Sequence, residues 1–210
     1  TLSEMGQRVL IIDADMRKPQ LHLRLGLNNL SGLSNILIDT NLNWRESLLN
    51  VGDSQNWKVL TAGVKPPDPT RLLSSNRMFD LINQISNSGD FDIVLIDTPP
   101  VLGLADACLV AEHCDGLALL VSLDNVPRPL PKEAVNRIRF SGVPLLGIIT
   151  NSIKKERETM SGYGYGYDYA TYAHYSNDDE KNDSQVDDES SRTGLLDRYK
   201  QVDEMKILMK

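Results

Sequence analysis

Two short apolar runs in this chain end on an aspartate. Arg8-Val-Leu-Ile-Ile-Asp13 and Phe91-Asp-Ile-Val-Leu-Ile-Asp97 share one grammar, aliphatic residues without polar alternation and then a carboxylate. Such runs suit strands buried on both faces of a parallel sheet. Two more occur at Gly116–Val121 and Pro144–Thr150, with a weaker one at Trp57–Thr61. Helical patterns lie between them at Thr70–Asn87, Ala105–Cys114 and Leu130–Ser141. Strand alternating with helix predicts a doubly wound, mostly parallel α/β sheet. Gly6 reads as the C-cap of a helix ending at Thr1–Met5. Pro66-Pro67-Asp68-Pro69-Thr70 is a rigid lead-in, with Asp68 or Thr70 as the cap of the next helix.

In open parallel sheets, ligands bind beyond the carboxyl ends of the strands. Asp13 and Asp97 belong there. Asp13, Asp15 and Arg17 follow one another at period two, so an extended chain aims all three the same way. Carboxylates gathered at a sheet edge repel one another, and a bound Mg²⁺ relieves that. An arginine nearby neutralises charge on a phosphate. These are ingredients of phosphoryl transfer. Asp106, Asp115 and Asp124 read instead as helix caps or surface charges.

Composition narrows the field further. The 210 residues carry 22 Lys+Arg against 29 Asp+Glu, a net charge of -7 that argues against a general nucleic-acid binder. Cys108 and Cys114 make neither a disulfide framework nor a CxxC zinc site. No apolar run is long enough to span a membrane. The charge is uneven: residues 176–210 hold ten acids and six bases, which leaves the preceding part nearly balanced. Three regions follow, a globular core at 1–155, a tyrosine-rich segment at 156–176 and an acidic, mostly disordered tail at 177–210.

Several motifs together carry a family resemblance. Val9-Leu-Ile-Ile-Asp-Ala-Asp-Met-Arg17 resembles the second Walker A motif of bacterial tyrosine kinases, and Ile93-Val-Leu-Ile-Asp-Thr-Pro-Pro100 resembles their Walker B. Ala62-Gly-Val-Lys-Pro-Pro-Asp-Pro-Thr-Arg-Leu-Leu-Ser-Ser75 is similar to the proline-led segment between them. The resemblance spans roughly residues 1–175 and implies that 1–155 is an incomplete nucleotide-binding kinase core. It implies a P-loop NTPase fold like that of the partition and division-site ATPases, and ATP with Mg²⁺ as cofactors. It also implies the cytoplasmic kinase domain of a polysaccharide co-polymerase at the inner membrane, regulating capsule or exopolysaccharide chain length and export. By the same resemblance Asp13 and Asp97 organise Mg²⁺, directly or through water, and Asp15 helps activate the incoming tyrosine hydroxyl. Arg17 serves a phosphate or a subunit contact, and Asn151 matches the position where related ATPases contact adenine.

One part of the family pattern is missing. G-x-x-x-x-G-K-[ST], whose amides cradle phosphates, does not occur, since none of the 14 glycines precedes a lysine. Truncation ahead of Thr1 is the simplest reading, with a nucleotide-independent regulator or a water-using partition ATPase as alternatives. Six of the seven tyrosines, Tyr163, Tyr165, Tyr167, Tyr169, Tyr172 and Tyr175, crowd into one Gly-interleaved segment. The resemblance implies autophosphorylation there between subunits of a ring-like homo-oligomer, with a transmembrane co-polymerase segment in the same chain or on a separate activator. Each phosphate adds about -1.5 to -2 charges beside an already acidic tail. Leu195–Met209 reads as a weak amphipathic terminal helix.

Overall fold

The computed structural model describes residues 1–52, 56–123 and 126–151, together with the backbone of residues 207–209. Every strand expected from an apolar run is present. In chain order they are β1 (Val9–Asp13), β2 (Leu49–Asn50), β3 (Trp57–Leu60), β4 (Ile93–Thr98), β5 (Leu117–Ser122), β6 (Leu145–Asn151) and β7 (Ile207–Met209). They form one sheet in the order β2-β3-β1-β4-β7-β5-β6. β1 runs parallel to β3 and β4, and β5 runs parallel to β6. β2 pairs antiparallel at the edge and β7 pairs antiparallel with both β4 and β5.

The helices are α1 (Leu21–Leu25), α2 (Leu33–Ile38), α3 (Pro69–Leu73), α4 (Asn76–Asn87), α5 (Asp106–Ala111) and α6 (Pro129–Phe140), with a 3₁₀ turn at Trp44–Ser47. The continuous helix expected over Thr70–Asn87 is in fact two. Ser75 splits it: its Oγ accepts the Met78 amide at 3.3 Å and its hydroxyl donates to the Leu72 carbonyl at 2.6 Å, so one side chain ends α3 and starts α4. Asp68, not Thr70, caps α3 by accepting the Arg71 amide at 3.0 Å, with Pro69 at the first helical position. Thr1–Met5 forms hydrogen-bonded turns that close on Gly6 at φ 85°, short of a regular helix. At the other end, Ile207–Met209 is a strand where the terminal periodicity predicts helix, because its backbone pairs with strands on both sides.

Alternation along the strands gives the sheet two unequal faces, although Val9 and Val59 are buried on the less covered one. Leu10 and Ile12 of β1, Ile96 of β4 and Leu117 and Leu119 of β5 are buried with Met78, Leu81, Ile82 and Ile85 of α4 and Ala134 and Ile138 of α6. Each buried Leu, Ile or Met side chain contributes about 1.5–3 kcal/mol relative to an exposed one. On the opposite sheet face, Ile11, Leu95 and Leu120 are only partly buried and Ile149 is 47% exposed. Among the described residues, no helix is long and apolar enough to cross a membrane.

The start of the proline-led segment is fixed by close backbone approach. The Leu33 and Ser34 amides at the start of α2 donate to the Thr61 and Ala62 carbonyls at 2.8 and 2.9 Å. Asn29 grips Gly63 through its amide and carbonyl, both at 2.8 Å. Gly63 has φ 80°, and a Cβ there would run into Ser34, Asn35 and the Gly32 backbone. Gly63→Ala is therefore expected to destabilise the chain by roughly 2 kcal/mol, read as a lower midpoint in urea denaturation.

Candidate active site

The parallel register of β1 and β4 sets Asp13 directly opposite Asp97. Adjacent strands lie about 4.8 Å apart, so the two carboxylates share one sheet edge. Asp13 is fully buried and Asp97 is 7% exposed. The Ala14 amide donates to the Asp97 carbonyl at 2.8 Å, which carries the ladder one residue past the strand.

Backbone amides hold the acidic side chains. Asp13 Oδ1 accepts the Asp15 amide at 3.1 Å, and its Oδ2 accepts the Leu21 amide at 3.2 Å. Asp15 Oδ1 accepts the amides of Arg17 at 3.2 Å and Lys18 at 2.9 Å. These contacts curl the chain immediately after β1. The expectation that Asp13, Asp15 and Arg17 point the same way is thereby corrected, since it required an extended chain.

Arg17 goes elsewhere. Its Nε donates to Asp106 Oδ2 at 2.8 Å, and one terminal guanidinium nitrogen donates to Thr70 Oγ1 at 2.7 Å and, at 3.4 Å, to Asp106 Oδ1. The Thr70 hydroxyl donates in turn to Asp106 Oδ1 at 2.7 Å. Asp106 is 1% exposed, so its reading as a simple cap or surface charge is also corrected: it begins α5 but anchors a buried ion pair. Sequence reasoning missed Thr70 in this role, because its partners lie 53 and 36 residues away in the chain. It also missed Thr98, whose Oγ1 is buried beside Asp97 without a hydrogen-bond partner among the described residues.

Asn151 ends β6 at the same carboxyl edge, opposite Ser122 of β5, with its side chain exposed. It stands beyond β7 and β5 from the carboxylate pair. Asp115 is exposed at the foot of β5. Tyr163–Tyr175 and Asp124 lie outside the described residues, as do the regions assigned to 156–176 and most of 177–210.

Burial, followed by the nearby charges of Asp97 and Asp15, pushes the Asp13 carboxyl up to about 7, against the lowering effect of the Leu21 and Asp15 amides. This donor set fits a hard divalent cation, which would relieve the repulsion among three carboxylates. Among the described residues no group of three or more His, Cys, Asp or Glu is arranged to hold a metal alone. Magnesium matches such a site, being bound typically through one or two carboxylates and the phosphates of a substrate.

The raised Asp13 value has a sign. A carboxyl that holds its proton more tightly folded than unfolded stabilises the fold fully below about pH 4, and that contribution is lost as pH rises through about 7. In Mg²⁺-free buffer, the melting temperature of the 210-residue chain is expected to carry a fall between pH 4 and 7 due to this group. Asp13→Asn should flatten that fall and raise the melting temperature at pH 7.5, as measured by circular dichroism.

No family model matches the chain. Among curated relatives, it is 34% identical over 164 residues to the tyrosine-protein kinase YwqD of Bacillus subtilis, covering 78% of this chain and 67% of that protein. It is 33% identical to the putative tyrosine-protein kinase CapB of Staphylococcus aureus, covering 80% and 72%. Against the tyrosine-protein kinase wzc of Salmonella typhimurium the identity is 37%, over 80% of this chain and only 23% of that one. Among solved structures, the kinase domain of the Escherichia coli tyrosine kinase ETK superposes with TM-score 0.66 at 29% identity, over 78% of this chain and 63% of that domain. The MinC:MinD cell division complex of Aquifex aeolicus, at 19% identity and TM-score 0.59 over 73% of this chain and 60% of that one, shares the fold alone. With its Asp-ended parallel strands in the same company, the chain belongs to the bacterial tyrosine-protein kinases.

Proposed function

We propose that the whole protein is an ATP-dependent tyrosine autokinase that regulates capsule or exopolysaccharide assembly at the cytoplasmic face of the membrane. The observation that carries this reading is the buried Asp13–Asp97 pair at the carboxyl ends of adjacent parallel strands, with Asp15 held beside it. Asp13 and Asp97 would hold Mg²⁺, directly or through water, and Mg·ATP would supply the γ-phosphoryl group and shield its charge. Asp15, fixed by two backbone amides on one oxygen, accepts the proton of an incoming tyrosine hydroxyl. Asn151 borders the adenine at the same edge. The acceptors are Tyr163, Tyr165, Tyr167, Tyr169, Tyr172 and Tyr175 of neighbouring subunits in a ring-like homo-oligomer, and a transmembrane co-polymerase segment, in the same chain or on a separate activator, completes the assembly.

Incubating the full-length protein with Mg·ATP should place phosphate within Tyr163–Tyr175, detected by mass spectrometry. Asp97→Asn should lower that incorporation on the order of 10²-fold. An unmodified cluster in protein that hydrolyses ATP would overturn the reading. Because G-x-x-x-x-G-K-[ST] is not among these residues, purified residues 1–210 are expected not to bind Mg·ATP at micromolar concentration, as measured by titration calorimetry.

A further inference from the structure

Three segments that are far apart in sequence meet at Arg17. The loop after β1 contributes Arg17, the proline-led helix α3 contributes Thr70, and the first turn of α5 contributes Asp106. Their contacts close a ring, because Arg17 donates to both partners and the Thr70 hydroxyl donates its own hydrogen bond to Asp106. All three are buried or partly buried. A planar guanidinium engaged in this way is fixed in orientation as well as position.

The ring lies one turn of chain from the reacting groups. Asp15 is two residues before Arg17, and its Oδ1 accepts the Arg17 backbone amide, so whatever holds Arg17 also holds Asp15. On the other side Asp15 is tied to Asp13 through its own amide. The loop is thus pinned at the strand end by Asp13 and at its far end by the Arg17 ring. Asp15 sits between the two pins.

We propose that Arg17, Thr70 and Asp106 are positioning residues that set the Asp15 carboxylate against the tyrosine hydroxyl, and that Arg17 does so instead of contacting a phosphate. This rests on the kinase reading above. It gives the proline-led segment a purpose, which is to deliver the Thr70 hydroxyl to the ring from a rigid lead-in. Thr70→Val removes both hydroxyl contacts at nearly constant shape, Asp106→Asn removes the charge, and Arg17→Lys keeps the charge but loses the fork.

In the full-length protein, Thr70→Val and Asp106→Asn should each lower kcat for tyrosine phosphorylation about 10-fold or more, with KM for ATP within about twofold of wild type. Thr70→Ser should restore kcat. Amide hydrogen exchange at Arg17 and Lys18, whose N–H groups bind Asp15, should quicken about tenfold in Thr70→Val. A raised KM for ATP in Arg17→Lys, with Thr70→Val and Asp106→Asn unaffected, would overturn the proposal in favour of a phosphate contact. A lower melting temperature with kcat and exchange at Arg17 and Lys18 unchanged would overturn it in favour of a purely architectural role. A wild-type protein without kinase activity would remove the kinase reading, and the exchange rates would then decide alone whether the ring holds Asp15.

Discussion

Register between β1 and β4 is the constraint on which the rest depends. Parallel pairing sets Val9 against Ile93 and continues in step to Asp13 against Asp97. A slip of one residue would turn every β4 side chain to the other face, exchanging the buried Ile96 for Asp97 in the apolar layer. The packing of Ile12 and Ile96 beneath α4 therefore protects the carboxylate pair. Hydrophobic burial supplies the precision, and the acidic edge carries the cost, seen in the upward displacement of the Asp13 carboxyl.

The ion pair at Arg17 fits the same logic at longer range. Arg17 is 18% exposed at its side chain and Asp106 1%, a setting in which the desolvation of both ions offsets much of their attraction. Removing one partner would nonetheless leave a buried charge, worth about 3–5 kcal/mol in comparable cases. Such a pair gives directional register more than net stability. Here it joins the loop after β1 to two helices that follow different strands, so the acidic edge is framed from three sides.

Much of this was readable in the chain. Unalternated aliphatic runs ending on Asp13 and Asp97 specify buried parallel strands and, through the sheet's polarity, a shared edge. Direction after the strand was not readable, because period two assumes extension and the Asp13 and Asp15 side chains instead bind amides two and three residues on. The split between α3 and α4 was equally hidden, since Ser74-Ser75 interrupts no apolar spacing and acts only through hydroxyl geometry. Asp106 has a local job at the start of α5 and a distant one with Arg17, and local sequence shows only the first. Ile207-Leu-Met209 suits helix or strand alike, and the space between β4 and β5 decided it.

That last strand leaves a seam through the middle of the sheet. β7 matches only Ile96–Thr98 of the six-residue β4 and Leu117–Leu119 of the six-residue β5, and it is antiparallel to both. Three residues of ladder therefore join one block, β2-β3-β1-β4, to another, β5-β6. Asp13 and Asp97 ride on the first block and Asn151 on the second. The β1–β3 and β1–β4 ladders on one side and the β5–β6 ladder on the other make no use of that strand. Within the sheet, the ladder that links the acidic edge to the strand bearing Asn151 thus narrows to three residues of an antiparallel strand set between parallel ones.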